Sequence, residues 1–593
     1  MIEGNPYSFL FDGSLSFKKA DRFARLIAPE AAERLRPQAI VAATLRSLAA
    51  EGHTIAAENE IADRVWRDFG LTKNAVASAL ESLAGSGVVK LAARGKPRAI
   101  LFFSDDREPD VYGLSALIDA ERKIETAALA DGAEQPSPEV AEAIEAVILN
   151  AGALLRRPGF ELDEDQADAL RRVFAHRVSV VTGPPGSGKT AIVALANLIA
   201  AWRFRDMEMP ICGVALAGRA ASVLADNATV ARGEGRILEF PAATIHRAFG
   251  LEVDGDADEL DEPDPSKGIT CGVLVIDEAS MINAPLLAMI FERMAARHIV
   301  LVGDADQLDP IGPGSPFADM IARELAPVTR LFGNYRAEAP ALRDLIASIR
   351  DGSLDPSGDV PLAWFVAQDG GVVYIPAAFG MRGHAAGLLW CDLIDGGASP
   401  HEIAVITPRN VGDDGTQSLN RDIRLALGLA VSPQVGDLLI VTKNDYRAIA
   451  TPDHQGEPMA GDDDHFPIFN GERCEVVSVE RDTIDVLFPA TLTAPERRVR
   501  FLSNGDHPPE GTAFGYAMTA HKAQGSQFKF VILITARPDR FVSWASVYTA
   551  ASRARERLFI VGDEGEFVAS VGKDRPRRRT LLGEPVSSAA REA

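Results

Sequence analysis

From about residue 160 onward, short and mainly apolar runs alternate with longer amphipathic stretches, the pattern of strands that feed helices in a parallel sheet. Strands are predicted at 178–182, 211–216, 273–277 and 299–303, and a second set at 372–375, 403–407, 530–534 and 558–561. Two sets imply two lobes, the first within 151–330 and the second assembled from 331–435 and 512–570. Between those halves, 436–511 breaks the rhythm: β-like runs such as 438–442 and 474–479 are punctuated by Gly, Asp and Pro, which predicts a small inserted β-barrel. Residues 1–150 read instead as short helices with small-residue turns. Within them, 60–91 carries helical periodicity and ends in Gly85-Ser86-Gly87 before an apolar run, a helix, helix and β-wing arrangement. Winged modules touch nucleic acid about as often as they serve as scaffolds, so both readings stand.

Composition narrows the class. A chain of 593 residues is too long for one core. No apolar run is long enough to span a bilayer and the N-terminus lacks a signal pattern, so the expected location is the cytoplasm, with no membrane partner. Cys212, Cys271, Cys391 and Cys474 are far apart in sequence, which argues against structural zinc or a disulfide framework. The net charge of −23 argues against nonspecific coating of nucleic acid but leaves room for a local basic groove. Acidic residues cluster over 254–264, read as a solvated loop, and the basic run 573–579 falls in what reads as a flexible tail, 571–593.

The most specific chemistry is Gly183-Pro184-Pro185-Gly186-Ser187-Gly188-Lys189-Thr190, set between a predicted strand and a predicted helix start. Glycines let successive N–H groups converge on a phosphate, the helix terminus adds positive potential, Lys189 reaches the β/γ-phosphates and Thr190 offers a hydroxyl to Mg²⁺. At the end of the strand 273–277, Asp277 is placed to hold Mg²⁺ through water and Glu278 to orient and deprotonate the attacking water. Gln307, after the strand 299–303, is positioned to sense the γ-phosphate. Arg336 and Arg553, in the second lobe, are candidates to supply guanidinium charge to the transition state if the lobes close over a nucleotide.

These segments, in this order, resemble the motifs of RecD-like DNA helicases of superfamily 1, in the branch that moves 5′ to 3′. The likeness runs through Gln166 within 162–170, the phosphate loop, Asp277-Glu278, Gln307, Asn334-Tyr335-Arg336, 519–526 and 547–554. The resemblance implies that Gln166 reads adenine, that the two lobes are RecA-like, that the insert is SH3-like, and that 1–50 forms a helix-hairpin-helix-like segment ahead of a winged-helix-like module with linker helices over 51–150. It also implies that Arg219, Thr244, His246, Thr519 and His521 face single-stranded DNA.

The resemblance is not complete. Ala217 stands where the family commonly has threonine, Gln527 stands where it has glutamate, and the hairpin turn reads Gly13-Ser14-Leu15-Ser16. The acidic stretch 252–264 occupies the region of the family's strand-splitting pin without resembling one.

The function expected is that of an ATP- and Mg²⁺-dependent helicase acting as a monomer on single-stranded and tailed duplex DNA, in repair, recombination or defence. Two alternatives remain: a translocase or nuclease-complex ATPase that walks without unwinding, and a nucleotide-switched scaffold.

Overall fold

The computed structural model describes residues 5–11, 15–93, 110–130, 136–231, 237–250, 268–333, 337–354, 362–366, 370–450, 465–490, 496–539, 541–574 and 577–583. The α/β expectation holds. A six-stranded parallel sheet runs, in spatial order, Val328–Arg330, Val178–Thr182, Met294–Gly303, Ile269–Ile276, Ile211–Ala215 and Ala242–Thr244. Its central strands are apolar on both faces because helices cover both, among them Lys189–Arg203, which buries Ile192, Val193, Leu195 and Ile199. Burial of such side chains contributes roughly 1.5–3 kcal/mol each.

A second, five-stranded parallel sheet follows the order Val372–Pro376, Ala554–Gly562, Phe528–Ile534, Ile403–Thr407 and Ala517–Thr519. The segment expected to form an inserted barrel contributes six strands of a seven-stranded antiparallel sheet, the seventh being Thr512–Phe514 just beyond it, with its own core around Leu439, Cys474, Val486 and Phe488. Arg424 ties this sheet to the second lobe through a buried two-point pair with Asp437, whose carboxylate also accepts from Tyr516. Such a pair is costly to break, because it leaves a buried charge without its partner.

The N-terminal region is mainly helical. Helices Phe17–Ile27 and Pro29–Ala50 lead into Glu58–Phe69 and Lys73–Gly85, beside a three-stranded antiparallel sheet of Ala56–Ala57, Val111–Leu114 and Val89–Ala93. That is the helix, helix and wing order expected. Of the hairpin turn, Gly13 and Ser14 lie outside the described residues, as do 252–264. Among the described residues, no helix is long and apolar enough to cross a membrane.

One expectation fails. Residues 577–583, assigned to a flexible tail, are folded between the N-terminal module and the first lobe. The arginines that suggest a solvated end find partly buried backbone carbonyls and a partly exposed carboxylate instead, as Arg578 does on Gly312 and Gly314 and Arg579 does on Glu60.

Candidate active site

The first sheet presents its chemistry along one edge. The phosphate-loop sequence leaves Val178–Thr182, Asp304 and Gln307 follow Met294–Gly303, and Asp277 and Glu278 follow Ile269–Ile276. These three strands are neighbours in the sheet, so parallel pairing gathers the three groups at their carboxyl ends, where open α/β sheets bind ligands.

The loop is built around close contacts. Gly188 has φ +90°, and a Cβ there would lie 2.3 Å from Nε2 of Gln166. A Cβ on Gly183 would lie 2.7 Å from the carbonyl oxygen of Leu331. Neither position admits a side chain without moving its neighbour. Lys189 lies back on the loop and donates from Nζ to the carbonyls of Gly183 and Pro184, at 2.6 and 2.9 Å. Thr190, next along the helix, is exposed.

Gln166 is almost wholly buried, and its amide is engaged at both ends. It completes a capping box with Asp163, accepting from that residue's N–H at 3.1 Å, and it donates to the carbonyl of Ser187 at 3.0 Å. It thus braces the loop, with a second N–H and a second lone pair of the amide left over.

Glu278 holds φ +49°, one of three described non-glycine residues with positive φ. Keeping a glutamate there costs on the order of 1–3 kcal/mol, a strain that concentrates at functional sites. Asp277 and Glu278 are both partly open to solvent, so Asp277, with Thr190, could serve a magnesium–nucleotide complex while Glu278 stays accessible to water. Among the described residues no cluster of three or more His, Cys, Asp or Glu forms a protein-only metal cage. Mg²⁺ needs no such cage when phosphates and water complete its shell.

Beyond this edge the second lobe closes in. Tyr548, on helix Trp544–Ala551, donates to Oδ2 of Asp304 at 2.9 Å, and the same oxygen accepts from Nε2 of Gln307 at 3.2 Å. All three residues are buried. Burial, with the Asp304 charge second, raises the Tyr548 pKa well above the usual tyrosine range, which keeps the phenol a donor. One residue past Gln307, the N–H of Leu308 donates to Oγ1 of Thr549 at 3.1 Å. Sequence reading missed Asp304 and Tyr548 as a pair. The available signal was a carboxylate at the end of a buried strand and a tyrosine on a segment rich in small residues.

Arg553 lies between helix Trp544–Ala551 and the start of strand Ala554–Gly562. It is 2% exposed and donates to the carbonyls of Thr549 and Ser526 and to Oγ of Ser552. Arg336 lies outside the described residues. Two positions on, the N–H of Glu338 donates to the carbonyl of Arg555 at 2.9 Å.

The residues expected to face DNA fall into two matching turns and one junction. Thr244 ends an edge strand of the first sheet and caps the one-turn helix Ile245–Ala248 by accepting from Arg247 N–H. Thr519 ends an edge strand of the second sheet and caps Ala520–Ala523 by accepting from Lys522 N–H. Each turn carries a histidine followed by a basic residue: His246 and Arg247 in one, His521 and Lys522 in the other. Burial lowers the pKa of His246, so its ring favours the neutral form. Burial likewise lowers the Lys522 pKa.

Arg219 sits where the lobes meet, its Nε donating to Oγ of Ser526 at 3.0 Å. Burial lowers its pKa while the charge of Glu472 opposes the shift. Arg219 lies in helix Gly218–Ala228, and Ala217, at its N-cap, makes no side-chain cap.

Comparison with known proteins agrees with this architecture. Residues 161–366 match the AAA domain family and residues 514–561 match the UvrD-like helicase C-terminal domain. The chain is 28% identical over 447 residues to the ATP-dependent RecD2 DNA helicase of Deinococcus radiodurans, a match covering 72% of this chain and 52% of that protein. It is 27% identical over 446 residues to the RecBCD enzyme subunit RecD of Mycolicibacterium smegmatis, covering 70% of this chain and 74% of the relative. The chain therefore spans about half the length of the Deinococcus protein. Among solved structures, Bacteroides Pif1 bound to ssDNA aligns over 68% of this chain and 92% of its own, at 16% identity and a TM-score of 0.38.

Proposed function

We propose that this homologue of the RecD-like helicases is an ATP-driven motor that tracks along single-stranded DNA, 5′ to 3′, and separates duplex ahead of it. The observation that carries the reading is the Gln307–Asp304–Tyr548 link, which joins the edge bearing the phosphate loop to the second lobe. A nucleotide on that edge competes for Gln307, and any exchange of its partner alters the bond that holds the lobes together.

In this reading Gly183, Pro184, Pro185, Gly186, Ser187 and Gly188 cradle the phosphates, and Lys189 leaves its two carbonyls for the β/γ-phosphates. Thr190 and, through water, Asp277 hold Mg²⁺, which when bound neutralises charge on the phosphates. Glu278 orients and deprotonates the attacking water. Arg553 and Arg336 stabilise the charge that develops as the γ-phosphate leaves. Arg553 must first give up its present carbonyl partners, so its use is tied to movement of the lobes.

Thr244 and His246 on one lobe and Thr519 and His521 on the other offer equivalent footholds to successive stretches of a strand. Alternate closing and opening of the cleft changes the spacing between the two turns. With Arg219 at the junction, phosphate contacts supply most of the affinity, which makes binding salt-sensitive and largely indifferent to sequence. Four free thiols suit a reducing compartment, and the proposed setting is the cytoplasm.

The test is strand displacement on matched duplexes carrying a 5′ or a 3′ single-stranded tail, with ATP and Mg²⁺. Displacement of the 5′-tailed substrate alone is expected. ATP hydrolysis stimulated by DNA with neither duplex opened would replace unwinding by translocation. Hydrolysis indifferent to DNA would favour a nucleotide-switched scaffold.

A further inference from the structure

After helix Glu564–Val571 the chain leaves the second lobe, where the carbonyl of Lys573 still accepts from Trp544 N–H at 3.0 Å. A few residues later it reaches the seam between the N-terminal module and the first lobe. There Arg578 donates to three backbone carbonyls of one loop: Gly312 at 2.7 Å, Gly314 at 2.8 Å and Pro310 at 2.6 Å. Its Nε lies 3.7 Å from the carboxylate of Asp309. A planar guanidinium serves several acceptors at once, which an ammonium on a single point cannot do.

The same guanidinium lies against Gly52, which has φ +101°, and a Cβ there would come within 2.5 Å of Arg578 Nε. The carbonyl of Gly52 in turn accepts from the N–H of Gly314 at 2.9 Å. Neighbouring residues extend the seam. The N–H of Arg579 donates to Nδ1 of His53, the N–H of Thr54 donates to the carbonyl of Arg579, and the N–H of Leu581 donates to Glu121. On the first-lobe side, Thr580 donates to Asp319 and Arg323 donates to the carbonyl of Leu582.

The loop that Arg578 grips begins two residues after Gln307. Leu308, between them, is bonded to Thr549 of the second lobe. Displacement of Gln307 therefore pulls on carbonyls that Arg578 holds against Gly52.

We propose that Arg578 is a positioning residue that transmits nucleotide state from the Gln307 loop to the N-terminal module. The proposal rests on the motor reading for the role of Gln307, but it requires only that nucleotide bind. It makes the segment 577–583 a strap that couples the N-terminal module to the ATP cycle.

The test is amide hydrogen exchange on the full chain, with and without ADP, aluminium fluoride and Mg²⁺, reading peptides over 48–58 and 305–318. In the unaltered protein both peptides change their exchange when nucleotide binds. In Arg578→Lys and Arg578→Ala the response at 305–318 persists, while that at 48–58 falls by about fivefold or more. If Arg578→Ala does not fold, Gly52→Ala approaches the same contact from the other side and gives the same split alongside Arg578→Lys. Equal responses at 48–58 in the unaltered protein and the variants overturn the proposal, as does no response there at saturating nucleotide. Stimulation of hydrolysis by single-stranded DNA, measured in parallel, reports separately on the motor reading.

Discussion

The phenol of Tyr548 donates to Asp304 across the two lobes at 2.9 Å, between residues 244 positions apart in the chain, and both are buried. The bond links the helix that precedes Arg553 to the strand that precedes Gln307. Hydrogen bonds to a charged group contribute about 1.5–3 kcal/mol, so this one is strong enough to bias the lobes toward the closed arrangement. It remains weak enough for nucleotide binding to overcome.

Tyr548→Phe removes the donor and keeps the ring. The variant is expected to lose about 1.5–3 kcal/mol of stability in denaturant unfolding, and to show a lower kcat for DNA-stimulated ATP hydrolysis with KM for ATP nearly unchanged. An unchanged kcat would mean that the link is only structural.

Lys189→Ala is expected to reduce DNA-stimulated hydrolysis by at least about a hundredfold, because the phosphates lose their point charge. DNA binding, followed by fluorescence anisotropy, persists. Hydrolysis at the normal rate in this variant would remove the phosphate loop from the mechanism.

Arg553→Lys keeps a positive charge but loses the fork that now holds Thr549, Ser526 and Ser552. Turnover is expected to fall on the order of a hundredfold or more, with nucleotide affinity within a few fold, since the charge is needed mainly as the γ-phosphate leaves. Equal losses in binding and turnover would assign Arg553 to the ground state.

The strap carries a pH dependence. Burial pushes the Glu121 carboxyl up to about 8, with nearby Asp319 adding to the shift, while hydrogen bonds from Thr54, Leu581 and Leu582 oppose it. The folded chain therefore keeps a proton on Glu121 that the unfolded chain has released, and stability falls as pH rises from the ordinary glutamate range toward 8. The slope is at most about 1.4 kcal/mol per pH unit. Glu121→Gln, which stays neutral, is expected to flatten the decline in the first thermal unfolding midpoint between pH 6 and pH 8. A slope unchanged by the substitution would locate the titrating group elsewhere.

What was legible in the sequence follows from where physical constraints are local. Strands buried on both faces, such as Val178–Thr182 and Ile403–Thr407, read as short runs dominated by apolar residues and lie where the pattern puts them. Three of the four edge strands of the two parallel sheets do not, Val372–Pro376 being the exception. Val328–Arg330, Ala242–Thr244 and Ala517–Thr519 have three residues each and are defined by pairing with a neighbour rather than by their own composition.

At the site, the phosphate loop and the carboxylates after their strand announce themselves because one short segment carries each. The Asp304–Tyr548 bond and the seat of Arg578 depend on tertiary closure, which no local window contains. The same holds for Gln166, whose place in a capping box was written in Asp163 three residues before it, while its grip on Ser187 was not.

The central claim is that nucleotide held between the two lobes drives movement along a strand. Its most direct test is the steady-state rate of ATP hydrolysis with and without a single-stranded oligonucleotide, under conditions where both ligands bind. The account predicts sustained multiple turnover that the oligonucleotide raises by about tenfold or more, a barrier change of roughly 1.4 kcal/mol. A rate unaffected by bound oligonucleotide would contradict it.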